Sequence, residues 1–238
     1  MARIIASATR RHVTLVRLLW LSTFLLVLIG VAIVTRRVLI LSGAVVPSQL
    51  SESAPLDDAF ARRASLTMLH IVPGLVFIVL GPLQFVTTLR TRRPWVHRRM
   101  GRVVLASGLV TGVSALAMTT QMAIGGATVR AATTVFGVLF LIALVRAFVC
   151  IRRRQVTLHR EWMIRAFSLG LAVATIRPIV GAFFATRSVT HLTPAEFLGI
   201  AFWLGFTIHL IAAEAWITYT RPGVASGTPT WRVRERTS

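Results

Sequence analysis

The sequence predicts an all-α protein, a polytopic bundle of about six transmembrane helices. Three observations predict it. The 238-residue chain is 55% hydrophobic and only 14% charged, with a mean hydropathy of +0.74; a soluble domain is about 45–50% apolar and about 25% charged. The apolar residues fall in long blocks, each near the ~20 residues that a spanning helix needs. Arginine clusters separate the blocks, so the formal net charge of +20 reads as a topology signal rather than a nucleic-acid-binding surface.

A basic N-terminus, 1–17, leads into the first block at 18–34, LLWLSTFLLVLIGVAIV, which runs on toward position 41 past Arg36 and Arg37. Its apolar core is longer than a secretory signal core, and the two arginines precede the small-x-small SGA at 42–44. It therefore reads as a span and not as a cleaved signal. The outer loop, 35–65, carries Pro47, Glu52, Pro55, Asp57 and Asp58 and reads as irregular chain with a short surface helix. Five further spans follow near 66–88, 103–124, 131–151, 163–185 and 196–220, closing a transmembrane domain at 18–220. All must be helices, because open sheet edges cannot sit in lipid. The tail, 221–238, reads as basic and disordered.

All 27 basic residues are arginine, which leaves no lysine for Schiff-base chemistry. Twenty of them fall in the N-terminus, the loops after spans two and four, and the tail; six fall on the opposite side, and Arg177 lies within a span. That bias predicts a protein of the cytoplasmic (inner) membrane with both termini in the cytoplasm. The expected partners are the lipid bilayer and its anionic headgroups, with no nucleic acid. Cys150 is the single cysteine. An intramolecular disulfide and a multi-thiolate zinc or iron–sulfur site are thereby excluded.

Two stretches resemble one another. RPWVHRRMGR at 93–102 and RQVTLHREWMIR at 154–165 align at an offset of 62, with His97 on His159 and Arg98 on Arg160. Spans two and three, and spans four and five, thus read as two hairpins of the same orientation, the pattern of a parallel membrane repeat. Helical spacing continues each histidine as a small-residue stripe: Gly101, Val104, Gly108 and Gly112 below His97, and Met163, Ala166, Gly170 and Ala174 below His159. Such stripes mark either close helix approach or room for a flat prosthetic group.

Ionisable residues inside spans face bundle interiors or cavities. His70 and Arg177 lie at similar depth and form an expected outer polar site; the alternative has Arg177 bonding the carbonyls that Pro178 releases. Gln84, His97, His159 and Glu214 form an expected inner cluster. Glu161, two residues past His159, points elsewhere on its helix. His12 and His191 read as surface residues.

Two imidazoles at one depth on facing helices suit a six-coordinate haem b, with Arg98, Arg102 and Arg160 near its propionates. The first reading is therefore a redox or haem-binding membrane protein using His97 and His159. The alternative is a transporter or small-ligand binder with His70, Arg177 and Glu214 on a polar path. A third reading is a metal-dependent membrane enzyme, although no close-spaced ligand pair such as H-E-x-x-H occurs. No catalytic residue or reaction is assigned.

The ordered set MLHIVPGLVFIVLGPLQF, HRRMGR, HREWMIRAFSLGLAVATIRP and AAEAW resembles the bacterial predicted membrane proteins grouped as DUF2306, over about residues 66–220. The resemblance implies fold and membrane location and no established reaction. Its motif positions fall on His70, Gly81, Pro82, Gln84, His97, Arg98, Gly101, Arg102, His159, Trp162, Met163, Arg165, Arg177 and Glu214. His209 stands where such proteins would carry an amide. A looser likeness links the chain to dihaem cytochromes b, which use four histidines on four central helices. Here the fourth span has none, so the sequence supplies one pair, His97–His159.

Overall fold

The computed structural model describes residues 2–46, 54–122 and 125–221. Pro47, Glu52 and the tail from position 222 lie outside the described residues.

The chain is all-α, and six of its helices are long and apolar enough to cross a membrane. Helix α1 (Ala2–Leu41) runs unbroken through the basic N-terminal stretch and through Arg36 and Arg37. The short α2 (Ala54–Arg62) follows, then α3 (Ala64–Leu80). A 3-10 turn (Pro82–Phe85) and α4 (Thr87–Arg92) lead to α5 (Pro94–Gln121). The second half comprises α6 (Gly126–Arg152), α7 (Val156–Ala185), the single turn α8 (Arg187–Thr190) and α9 (Pro194–Thr220). With six crossings, both described ends lie on one face of the bundle, here the terminal face. The α3–α5 and α6–α7 connections share it, and α2 and α8 lie on the opposite, distal face.

Helix ends follow local chemistry. Pro94 and Pro194 open α5 and α9, where a missing N–H costs little. Thr193 and Glu196 form a capping box at the start of α9. Two helices begin well before the apolar blocks they carry: α5 at Pro94, ahead of the block near 103, and α7 at Val156, ahead of the block near 163. Hydropathy misses these turns because they carry arginines, whose long stems reach the headgroups. His97 and His159 therefore sit in the first turns of their helices.

Helices α3 and α5 form one antiparallel hairpin and α6 and α7 another, while α9 packs on α6 and α7. Helix α1 lies outside this group against α3 and α7, with Leu21, Phe24 and Leu25 turned outward. The core centres on Phe77 of α3, only 1% exposed, which meets Phe140 edge-on at 5.3 Å. Glycines admit that ring. A Cβ at Gly108 would stand 2.9 Å from Phe77, and one at Gly170 only 2.5 Å from it. The two small-residue stripes thus converge on one phenylalanine, the close-packing arrangement of membrane helices.

Candidate functional site

On the distal side of Phe77 the helices separate around a cavity of about 260 Å³. Its walls are mostly apolar, with Phe136 and Phe140 from α6 and Phe202 and Phe206 from α9. Four ionisable residues enter it: Arg37 from α1, His70 from α3, Arg130 from α6 and Arg177 from α7. Arg177 lies eight residues before the end of α7 and His70 six residues after the start of α3. At 1.5 Å per residue both are about 9–12 Å from the distal helix ends. The two residues that depth alone places together both line this cavity.

His70 is held from below. Its Nδ1 lies 3.1 Å from the Thr111 carbonyl and 3.2 Å from Ser114 Oγ. A carbonyl only accepts, so Nδ1 carries the proton and Nε2 is left as an acceptor in the neutral ring. Ser114 Oγ is committed to carbonyls of its own helix, donating to Val110 at 2.7 Å. Arg177 is different. Its Nε is buried without a hydrogen-bond partner, and among the described residues the guanidinium makes no hydrogen bond or ion pair. The carbonyls near Pro178 therefore do not hold it.

The distal cover of the cavity comes from α1 and α2. Asp57, 1% exposed, takes the arginine doublet of α1: Arg36 donates through Nη1 at 3.1 Å and Nη2 at 2.7 Å, and Arg37 Nη1 stands 2.6 Å away. Arg37 also lies 4.3 Å above the Phe60 ring, which lines the cavity. Burial acts to raise the Asp57 carboxyl, but the hydrogen bonds and charges of Arg36 and Arg37 carry it below the usual carboxylate range. Sequence reasoning left this clamp unassigned, although its signal is visible: an Arg-Arg doublet ending one helix, and an Asp-Asp doublet across the following loop.

The expected inner residues separate into two groups near the terminal face. Glu214 does not line the cavity that holds Arg177. It forms a forked ion pair with Arg165, at 2.5 Å to Nε and 2.8 Å to Nη2. Glu161, only 4% exposed, does point away from the His159 side and receives Arg221 through two 3.0 Å bonds. Arg165 bridges the acids, 3.9 Å from Glu161, and stacks over Trp162. Arg160 donates to Thr220 Oγ1, while Arg98 and Arg102 are exposed.

The second group is Gln84, His97 and His159. His159 Nδ1–H donates to the Ala147 carbonyl at 2.8 Å, which leaves its Nε2 free. His97 Nδ1 and Gln84 Nε2 are buried without partners, and His97 lies within electrostatic reach of His159. Gln84 closes the space beside His97: its Oε1 would stand 3.2 Å from a Cβ at Gly101. The stripes below the histidines are filled by Phe77 and Leu144. Those side chains take up the room that a flat ring would need along the stripes. Among the described residues no group of three or more His, Cys, Asp or Glu is placed to hold a metal. His209, outside both groups, shares a 2.7 Å hydrogen bond with Thr175.

Comparison with curated proteins and with solved structures gives no match. A family model does match, over residues 67–217, from the fourth residue of α3 almost to the end of α9. That span covers the two hairpins, Phe77 and most of the cavity, and leaves α1 and α2 outside. The chain belongs to the family of predicted membrane proteins described as DUF2306.

Proposed function

We propose that the protein binds one small, mostly apolar molecule inside the membrane, in the distal cavity beside His70 and Arg177. The observation that carries this reading is the coincidence of an apolar cavity with an arginine whose Nε is buried and which no described residue engages. Ligand sites combine apolar walls with a few convergent polar groups, and intramembrane arginines are retained where they serve a site. We place the terminal face in the cytoplasm, on the strength of the arginine bias.

The test uses decanol as a neutral probe on protein in lipid nanodiscs. Wild-type protein binds it saturably. Gly74→Leu, whose Cβ begins in open contact 3.4 Å from Thr111 and whose side chain extends into the cavity, loses that binding. Decanol uptake that is unsaturable, or unchanged in Gly74→Leu, overturns the reading.

A haem between His97 and His159 is the second reading. The free Nε2 of His159 favours it, and the filled stripes oppose it. An absorption spectrum of protein expressed with haem supply decides: a Soret band lost in His159→Ala carries this reading, and no Soret band removes it.

A further inference from the structure

The charge around the cavity narrows the class of ligand. Of the seven acidic residues in the sequence, five are described. Glu161 and Glu214 are held by Arg221 and Arg165 near the terminal face. Glu196 caps α9 through Thr193. Asp57 is engaged by Arg36 and Arg37, and Asp58 is exposed. None of the five lines the cavity, whereas three arginines do. An unneutralised guanidinium in an apolar setting calls for an anion. The planar fork of arginine suits a two-oxygen anion best, and the neutral Nε2 of His70 can accept from a protonated head group.

We infer that the ligand is an anionic amphiphile, an oxyanion head joined to an apolar body, with the head on Arg177 and the body against Phe136, Phe140 and Phe206. This rests on the cavity being a ligand site and adds the charge of the occupant. The carboxylate and phosphate ends of membrane lipids and of free fatty acids share that chemistry. Asp57 bears on selectivity. It occupies Arg37, so the deeper and otherwise unengaged Arg177 is the anion's partner.

The experiment compares decanoate, decyl phosphate and decanol, matched in chain, on protein in neutral nanodiscs. Wild-type protein binds at least one of the two anions about tenfold more tightly than decanol. Which anion leads distinguishes a carboxylate from a phosphate head. Arg177→Gln brings the affinity for either anion down to that of the variant for decanol, and its thermal unfolding midpoint reports that the variant folds. Should that variant not fold, the wild-type ratio alone carries the test. Equal binding of all three, still sensitive to Gly74→Leu, overturns the anionic class while the cavity remains a ligand site. If no probe binds in a Gly74→Leu-sensitive manner, both readings fall.

Discussion

Arg165 on α7 and Glu214 on α9 join two transmembrane helices through a forked ion pair, with Glu161 and Arg221 completing a chain of alternating charge along the same seam. A forked guanidinium–carboxylate contact fixes the rotation of one helix against the other. It also leaves Arg165 poorly solvated if its partner goes, since that side chain is 16% exposed. Breaking a fully buried pair costs about 3–5 kcal/mol. Nearly half of the Glu214 side chain is exposed, which reduces the expected loss to about 1 kcal/mol. Glu214→Gln should lower the thermal midpoint in detergent by a few degrees, with decanol binding at the far end of the bundle retained. An unchanged midpoint would mean that the seam is held by packing alone.

Asp57 ties α2 to α1 and so closes the distal side of the cavity. Its carboxyl lies below the usual range in the folded protein. A depressed carboxylate contributes stability that is complete above its unfolded value and is lost as pH falls through the folded one. The clamp is therefore intact at neutral pH and weakens only in acid, below the ordinary carboxylate range. Asp57→Asn should reproduce the acid state at pH 7. Amide exchange in 54–62 should quicken while exchange in α5 and α7 is unaltered. Equal protection in wild type and variant would show that α2 is held without the ion pairs.

Phe77 fills the space left by Gly108 and Gly170. A methyl group at Gly170 collides with the ring, and overpacking of this kind costs about 1–3 kcal/mol. Gly170→Ala should therefore lower the unfolding midpoint, and Phe77→Leu placed on that background should recover part of the loss. Additive losses would indicate that the two positions do not share one space.

The orientation is open to a reporter. Arg187–Thr190 is a single turn on the distal face. With the terminal face in the cytoplasm, a reporter active only outside the cell should be active when fused after Ser188. It should be silent when fused after Arg153. The reverse pattern would invert the assignment.

Much of this architecture is legible in the residues themselves. The six apolar blocks give six spans, and equal depth brings His70 and Arg177 to one cavity. What could not be read is which helices are neighbours. Glycine stripes announce a close approach without saying that a phenylalanine of α3 fills it. Glu214 has the depth of Gln84, but its rotation on α9 turns it to Arg165. Asp57 lies twenty residues from Arg37 along a polar loop, and an ion pair formed across such a loop depends on folding rather than on spacing. The early starts of α5 and α7 escaped hydropathy because arginines are tolerated where a helix emerges into headgroups.

Phe77 has a consequence for traffic through the bundle. It forms part of the cavity wall on the distal side and, on the terminal side, closes against Gly108. The hollow is therefore a dead end. With the distal side covered by α1 and α2, a molecule entering from the lipid would reach Arg177 and go no farther unless α3 parted from α5 and α7. In this conformation the hollow is a pocket closed at Phe77 rather than a passage through the bundle.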